Sequence, residues 1–290
     1  MSDQSIPQAV KAPMSNPLAN YFRQPKLYIK LPSHGQFYAP DALYKSEIDE
    51  YAVYAMTAKD ELMFKTPDAL MNGSATVEVI KSCVPAIKNP WAMPSIDLDA
   101  VLIAIRIATF GENLDVTAAC PSCNHFNDYI LNLIGYLDTV TQFSYESTVV
   151  VGPLTVNIRP YSYKEMSKTA LKTLEQQKIF AIVNDENMPD EQKVEKFGES
   201  FVKLTQLTVD VVVGCIESIE TPEGIVNDKK MITEFIENSP SDVFTKISDH
   251  INDMKDRMSL KAQDVECVEC HHRWSVDVSM DQTNFFGNGS

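Results

Sequence analysis

Two Cys-x-x-Cys pairs, Cys120-Pro121-Ser122-Cys123 and Cys267-Val268-Glu269-Cys270, stand far apart in the chain, each between runs of alternating apolar residues. Two intervening residues let one tight turn aim both sulfurs at a single ion, and two such turns supply the four thiolates of a tetrahedral zinc site. Residues 124 to 266 separate the pairs, whereas an ordinary zinc ribbon separates them by about 15–20. The interval is affordable, because lengthening a loop tenfold costs on the order of 2 kcal/mol of closure entropy. Structural zinc contributes about 10–16 kcal/mol in small peptides. A fold that joins the pairs must therefore carry the intervening chain as an insertion.

Both pairs lie in hairpin-like settings. Leu114, Val116 and Ala118 precede the first and Phe126, Tyr129, Leu131 and Leu133 follow it; Ala262 to Val265 precede the second, and Trp274, Val276 and Val278 follow. Alternation on both sides predicts a turn between two strands in each case. His125, His271 and His272 are alternative ligands, but Cys120, Cys123, Cys267 and Cys270 already fill a tetrahedral shell. A thioredoxin-like redox site needs its pair at a helix N-terminus, where the dipole lowers the thiol pKa, and strands are expected here. Disulfides require an oxidising compartment, and the N-terminal residues show no basic stretch with an apolar run behind it. Cys83 and Cys215 fall in apolar helical patterns and read as buried side chains.

The 290 residues suffice for two domains or for one domain with a large insertion. No apolar run reaches the roughly 18–20 residues needed to span a bilayer. Forty acidic against 25 basic side chains leave a net charge of −15, which repels phosphate backbones and argues against a nucleic-acid partner.

Residues 1–25, rich in Pro, Ser, Asn and Gln at the start, read as a flexible arm. An α+β segment is expected over 26–111. It begins with a strand at Lys26 to Leu31, a turn at Pro32 to Gly35 and a second strand at Glu50 to Ala55. Thr57 with Asp60 predicts a capping-box start to the first helix, Pro67 restarts a short helix that Asn72-Gly73 ends, and Thr76 to Cys83 presents another apolar helical face. Ser95, Asp97 and Asp99 open a helix apolar around much of its circumference, from Leu98 to Ala108, which Gly111 ends.

A zinc-ribbon-like β domain is expected from 112–160 and 260–282, with strands at Thr148 to Val151 and Leu154 to Ile158. Residues 161–259 read as an inserted helical bundle: helices from Ser162 to Val183, from Pro189 to about Ile219, from Lys229 to Glu237, and from Ser239 onward. Residues 283–290 read as a flexible tail. The expected class is α+β, a small β-rich zinc-ribbon-like core with an N-terminal α/β segment and the inserted bundle.

Catalysis has little support. His34 is drawable as a general base and Asp60-Glu61 as paired carboxylates, but neither has partners at readable spacing. Phosphate loops, the serine elbow and the His-Glu-x-x-His motif are missing from the sequence, and a four-cysteine site leaves no open position for a zinc-bound water. Tyr21-Phe22, Phe37-Tyr38 and Phe285-Phe286 are candidate docking aromatics.

The order of these features carries a resemblance. Leu31-Pro32-Ser33-His34-Gly35 with Phe37-Tyr38, then Met56-Thr57-Ala58-Lys59-Asp60-Glu61, then Arg106-Ile107-Ala108-Thr109-Phe110-Gly111, then Cys120-Pro121-Ser122-Cys123, resembles the T4-type bacteriophage baseplate hub protein family over roughly residues 26 to 165. The resemblance implies a non-enzymatic component of a contractile-tail baseplate hub, or a factor that assembles it. Its partners would be other hub and tail proteins or a second copy of the chain. It would reside in the virion tail and, during assembly, in the host cytoplasm. The second reading that the cysteines allow is a cytoplasmic zinc-ribbon regulator of nucleic-acid machinery, which requires a basic stripe on one face.

Overall fold

The structure, a computed structural model, describes residues 17–18, 21–65, 73–142, 144–183, 189–258, 262–276 and 285–286. The greater part of the expected arm and tail, and the short helix expected after Pro67, lie outside the described residues. Among those described, eight α-helices and four small antiparallel sheets make a mixed α+β fold.

The first core is built on helix α3 (Leu98–Phe110), which is buried on nearly every side from Leu98 to Ala108, as a helix apolar around much of its circumference requires; the Arg106 side chain on the same helix is buried with it. Strands β1 (Pro25–Ile29) and β2 (Tyr51–Tyr54) pair antiparallel beside it. Helices α1 (Ala58–Phe64), α2 (Ser74–Cys83) and α4 (Leu133–Val140) contribute Phe64, Val77, Ile80, Leu133 and Leu137. The capping box at α1 forms in full: Thr57 Oγ1 accepts from the Asp60 amide, and Asp60 accepts from the Thr57 amide at 2.8 Å. Gly73, at φ +76°, is the N-cap of α2. Gly111, at φ +94°, ends α3 as expected.

The resemblance motif at 31–38 has a tertiary role that spacing alone did not reveal. The Ser33 amide and hydroxyl donate to Asp97 at 2.8 and 2.6 Å, and the Tyr38 hydroxyl donates at 2.9 Å. Asp97 is fully buried at the entrance to α3. Burial pushes its carboxyl up to about 6, against the lowering effect of the three hydrogen bonds.

The second core is an α/β unit. Strands β5 (Thr148–Val151), β6 (Leu154–Ile158), β7 (Ile216–Thr221) and β8 (Gly224–Val226) form one antiparallel sheet in that order. Helices α5 (Tyr163–Val183), α6 (Asp190–Cys215), α7 (Lys229–Asn238) and α8 (Ser241–Met258) occur where helices were expected. The helix expected to reach Ile219 stops at Cys215, however, and the chain continues as strand β7. Ile216 and Ile219 point into the sheet's packed face with Val156, Ile158, Ile232 and Ile247. Period-2 and period-3.6 patterns overlap across Val211 to Ile219, and only pairing with β6 separates them. The strands at 148–158 thus hydrogen-bond with residues of the insertion rather than with the cysteine hairpins.

A candidate four-thiol centre

Strands β3 (Asn113–Ala119) and β4 (Phe126–Asn132) form one hairpin, and β9 (Gln263–Glu266) and β10 (Arg273–Val276) the other. Leu114 and Leu131 anchor the base of the first in the core. Each turn has the same construction. The Cys120 amide donates to His125 O, and the Asn124 amide to Cys120 O, both at 2.9 Å; in the second, the Cys267 amide donates to His272 O at 2.9 Å and the His271 amide to Cys267 O at 3.0 Å. The residue after each second cysteine is left-handed: Asn124 at φ 58° and His271 at φ 56°. Asn and His are among the residues that tolerate this conformation best after glycine. His271 is therefore used for its backbone, and its ring meets Glu266 at 3.0 Å.

The two turns face each other. The sulfurs of Cys120, Cys123, Cys267 and Cys270 all lie within 4.8 Å of one another. Cys120 Sγ is 3.6 Å from Cys270 Sγ, and Cys123 Sγ is 3.7 Å from Cys267 Sγ. These are not disulfide distances, which are near 2.05 Å. A tetrahedron of sulfurs at a metal–sulfur distance of about 2.3 Å has edges of about 3.8 Å, so the four thiols are spaced to hold one ion.

The first thiol of each pair, Cys120 and Cys267, is buried, and the second, Cys123 and Cys270, is exposed. Desolvation acts to raise the Cys267 thiol, but amide donors at Cys270 and Glu269 and the Asn127 side chain outweigh it and bring the group down to about 6. Such donors stabilise a thiolate, the form a metal takes.

Asn127, which the sequence reading did not single out, clasps the two turns. Its Nδ2 donates to His125 O at 2.9 Å and approaches Cys267 Sγ at 3.6 Å, while its Oδ1 accepts from the Val268 amide at 2.9 Å. It is 2% exposed. In sequence it is one polar residue in an alternating strand; its partners on the second turn, Cys267 and Val268, lie some 140 positions away. Tyr129 and Tyr136 add hydroxyl bonds to Glu266 O and Gln263 Oε1, and Trp274 sits edge-on to Tyr129.

The other candidates have structural surroundings. His34 is exposed and meets Asp49 at 2.8 Å. Asp60 is buried, caps α1, and accepts from Ser82 Oγ at 2.9 Å with Arg23 3.5 Å away. Cys83 and Cys215 are buried as expected, and burial pushes both thiols up to about 12. Of the candidate docking aromatics, Tyr21 and Phe22 are exposed. Phe37 packs edge-on to Tyr145, Tyr38 holds Asp97, and Phe285 and Phe286 are buried in the first core, the latter stacked on Phe64 at 4.5 Å.

In a two-core α+β scaffold, four thiols from distant parts of the chain converge on one point. The chain belongs to the T4 bacteriophage base plate protein family, whose model matches residues 25–287. The match extends well past the region of resemblance at 26 to 165 and includes both cysteine pairs and the unit between them. It implies interaction with other phage proteins and a place in the virion tail. Neither the curated proteins nor the solved structures contain a match to this chain. Among the described residues no helix is long and apolar enough to cross a membrane.

Proposed function

We propose that this baseplate protein is a non-enzymatic structural or assembly component of the hub, with one structural zinc ion held by Cys120, Cys123, Cys267 and Cys270. The convergence of the four sulfurs within 4.8 Å carries the reading. Four thiolates satisfy the tetrahedral preference of zinc and leave no position for a catalytic water. The ion joins strands on either side of the inserted unit, so the protein presents fixed surfaces to its neighbours. Tyr21 and Phe22 near the N-terminus, and Phe126, Ile130 and Val268 on the cysteine hairpins, are exposed apolar side chains suited to docking other hub proteins.

The protein would act in the host cytoplasm while the hub assembles and in the tail if it is retained there. Metal analysis of purified protein should find one zinc per chain. Phage carrying Cys120→Ser should assemble few complete tails. Metal-free wild-type protein, or normal tails from the variant with unchanged melting, would overturn the reading.

A further inference from the structure

We infer that the outer face of helix α6 is a docking surface for a basic, amphipathic helix of a partner protein. This deepens the assembly reading and rests on it only in that the partner is another protein of the tail. Taking 100° per residue, Val194, Gly198, Phe201, Val202, Thr205 and Val209 fall within an arc of about 100°, with no charged residue among them. The same face enters the second core at Val212, which is 2% exposed. Three to five turns earlier it is open: Val194 is 73%, Phe201 62% and Val202 66% exposed. A helix face that is core at one end and bare at the other has the composition of a buried surface along its whole length.

Gly198 lies at the centre of the open part. A Cβ there would meet nothing within 4 Å, so among the described residues no contact requires glycine, although glycine weakens a helix interior. The missing side chain leaves a notch between Val194, Phe201 and Val202 through which a second helix can approach closely. Charge selects the occupant. The flank next to the stripe carries Glu195, Glu199, Gln206 and Asp210, with Lys203 reaching Glu199 at 3.9 Å and Gln206 reaching Glu237 of α7 at 3.4 Å. This acidic border favours lysine or arginine beside the partner's apolar stripe. A second copy would set acidic flank against acidic flank on chains of net charge −15.

The test uses the full metal-loaded chain and two labelled synthetic helices with the same leucine stripe, one flanked by lysine and one by glutamate, followed by fluorescence anisotropy. The lysine helix should bind and the glutamate helix should not. Phe201→Ser, which leaves the charge unchanged, should weaken binding about tenfold or more. Gly198→Ala should raise the melting temperature while weakening binding, a pairing that loss of fold cannot produce. Absence of binding, equal binding by wild type and both variants, or concentration-dependent dimers abolished by Phe201→Ser would each overturn the inference. Peptide binding needs no tail proteins. Its failure beside a zinc-dependent assembly phenotype sinks this inference alone, and its success in metal-free protein with normal assembly sinks only the reading above.

Discussion

Replacing Cys267 with serine should release the β9–β10 hairpin while the first core stays folded. Between Gln263 and Val276 the side chains other than Cys267 are exposed, save for half-buried Val265, Trp274 and Val276. Three half-buried apolar side chains stabilise the hairpin by about 3 kcal/mol. Ordering the backbone from Gln263 to Val276 costs roughly 14 kcal/mol even at about 1 kcal/mol per residue. The deficit of about 11 kcal/mol lies within the roughly 10–16 kcal/mol that structural zinc supplies, and an isolated two-stranded hairpin is marginal at best. In hydrogen-exchange measurements the amides of 263–276 should therefore lose protection in Cys267→Ser, or in wild type treated with a chelator. Amides of α3 should keep theirs, because its buried side chains pack within the first core. Full protection of 263–276 in metal-free protein would refute the reasoning.

Asp97 binds its proton more tightly in the folded chain than in the unfolded one, so its contribution is complete below about pH 4 and is lost as pH rises through about 6. On the order of 3 kcal/mol of urea-unfolding stability should disappear over that window, and Asp97→Asn should flatten the dependence. Glu165 behaves oppositely: burial would raise its carboxyl, but the two-pronged Arg159 contact and the Ser162 donors hold it down at about 2. Its contribution is present above the ordinary glutamate range and should fade as pH falls from about 4.5 toward 2, a loss that Arg159→Met should remove from acid-unfolding curves. Gly73→Ala should lower stability by about 2 kcal/mol in thermal or urea unfolding, since its φ is +76° and a Cβ would sit 2.8 Å from the Tyr163 hydroxyl.

The local signals in this chain were legible because they are short-range. The capping box at Thr57, the stop at Gly111, the two cysteine turns and the helices at 98–110 and 241–258 follow from patterns a few residues long. The boundary at Cys215 was not legible, since Val211 to Ile219 suits a helix and a strand equally and the β6 register decides between them. Phe285 and Phe286, at the edge of a polar terminus, gave no sign of the first core in which they are buried, the latter stacked on Phe64. Asn127 looked like any polar strand residue.

By itself the amino-acid order determined which thiols share a turn, because two residues between cysteines already fix their reach. It also determined which helix must be enclosed, because from Leu98 to Ala108 apolar residues cover much of the circumference and leave only Asp99 and Arg106 polar. Only tertiary structure decided that residues 120 and 267 meet, that Ser33 and Tyr38 clasp Asp97, and that α6 keeps its face bare. Those outcomes depend on contacts between segments far apart in the chain, whose orientation is settled by the packing of two cores rather than by any local preference.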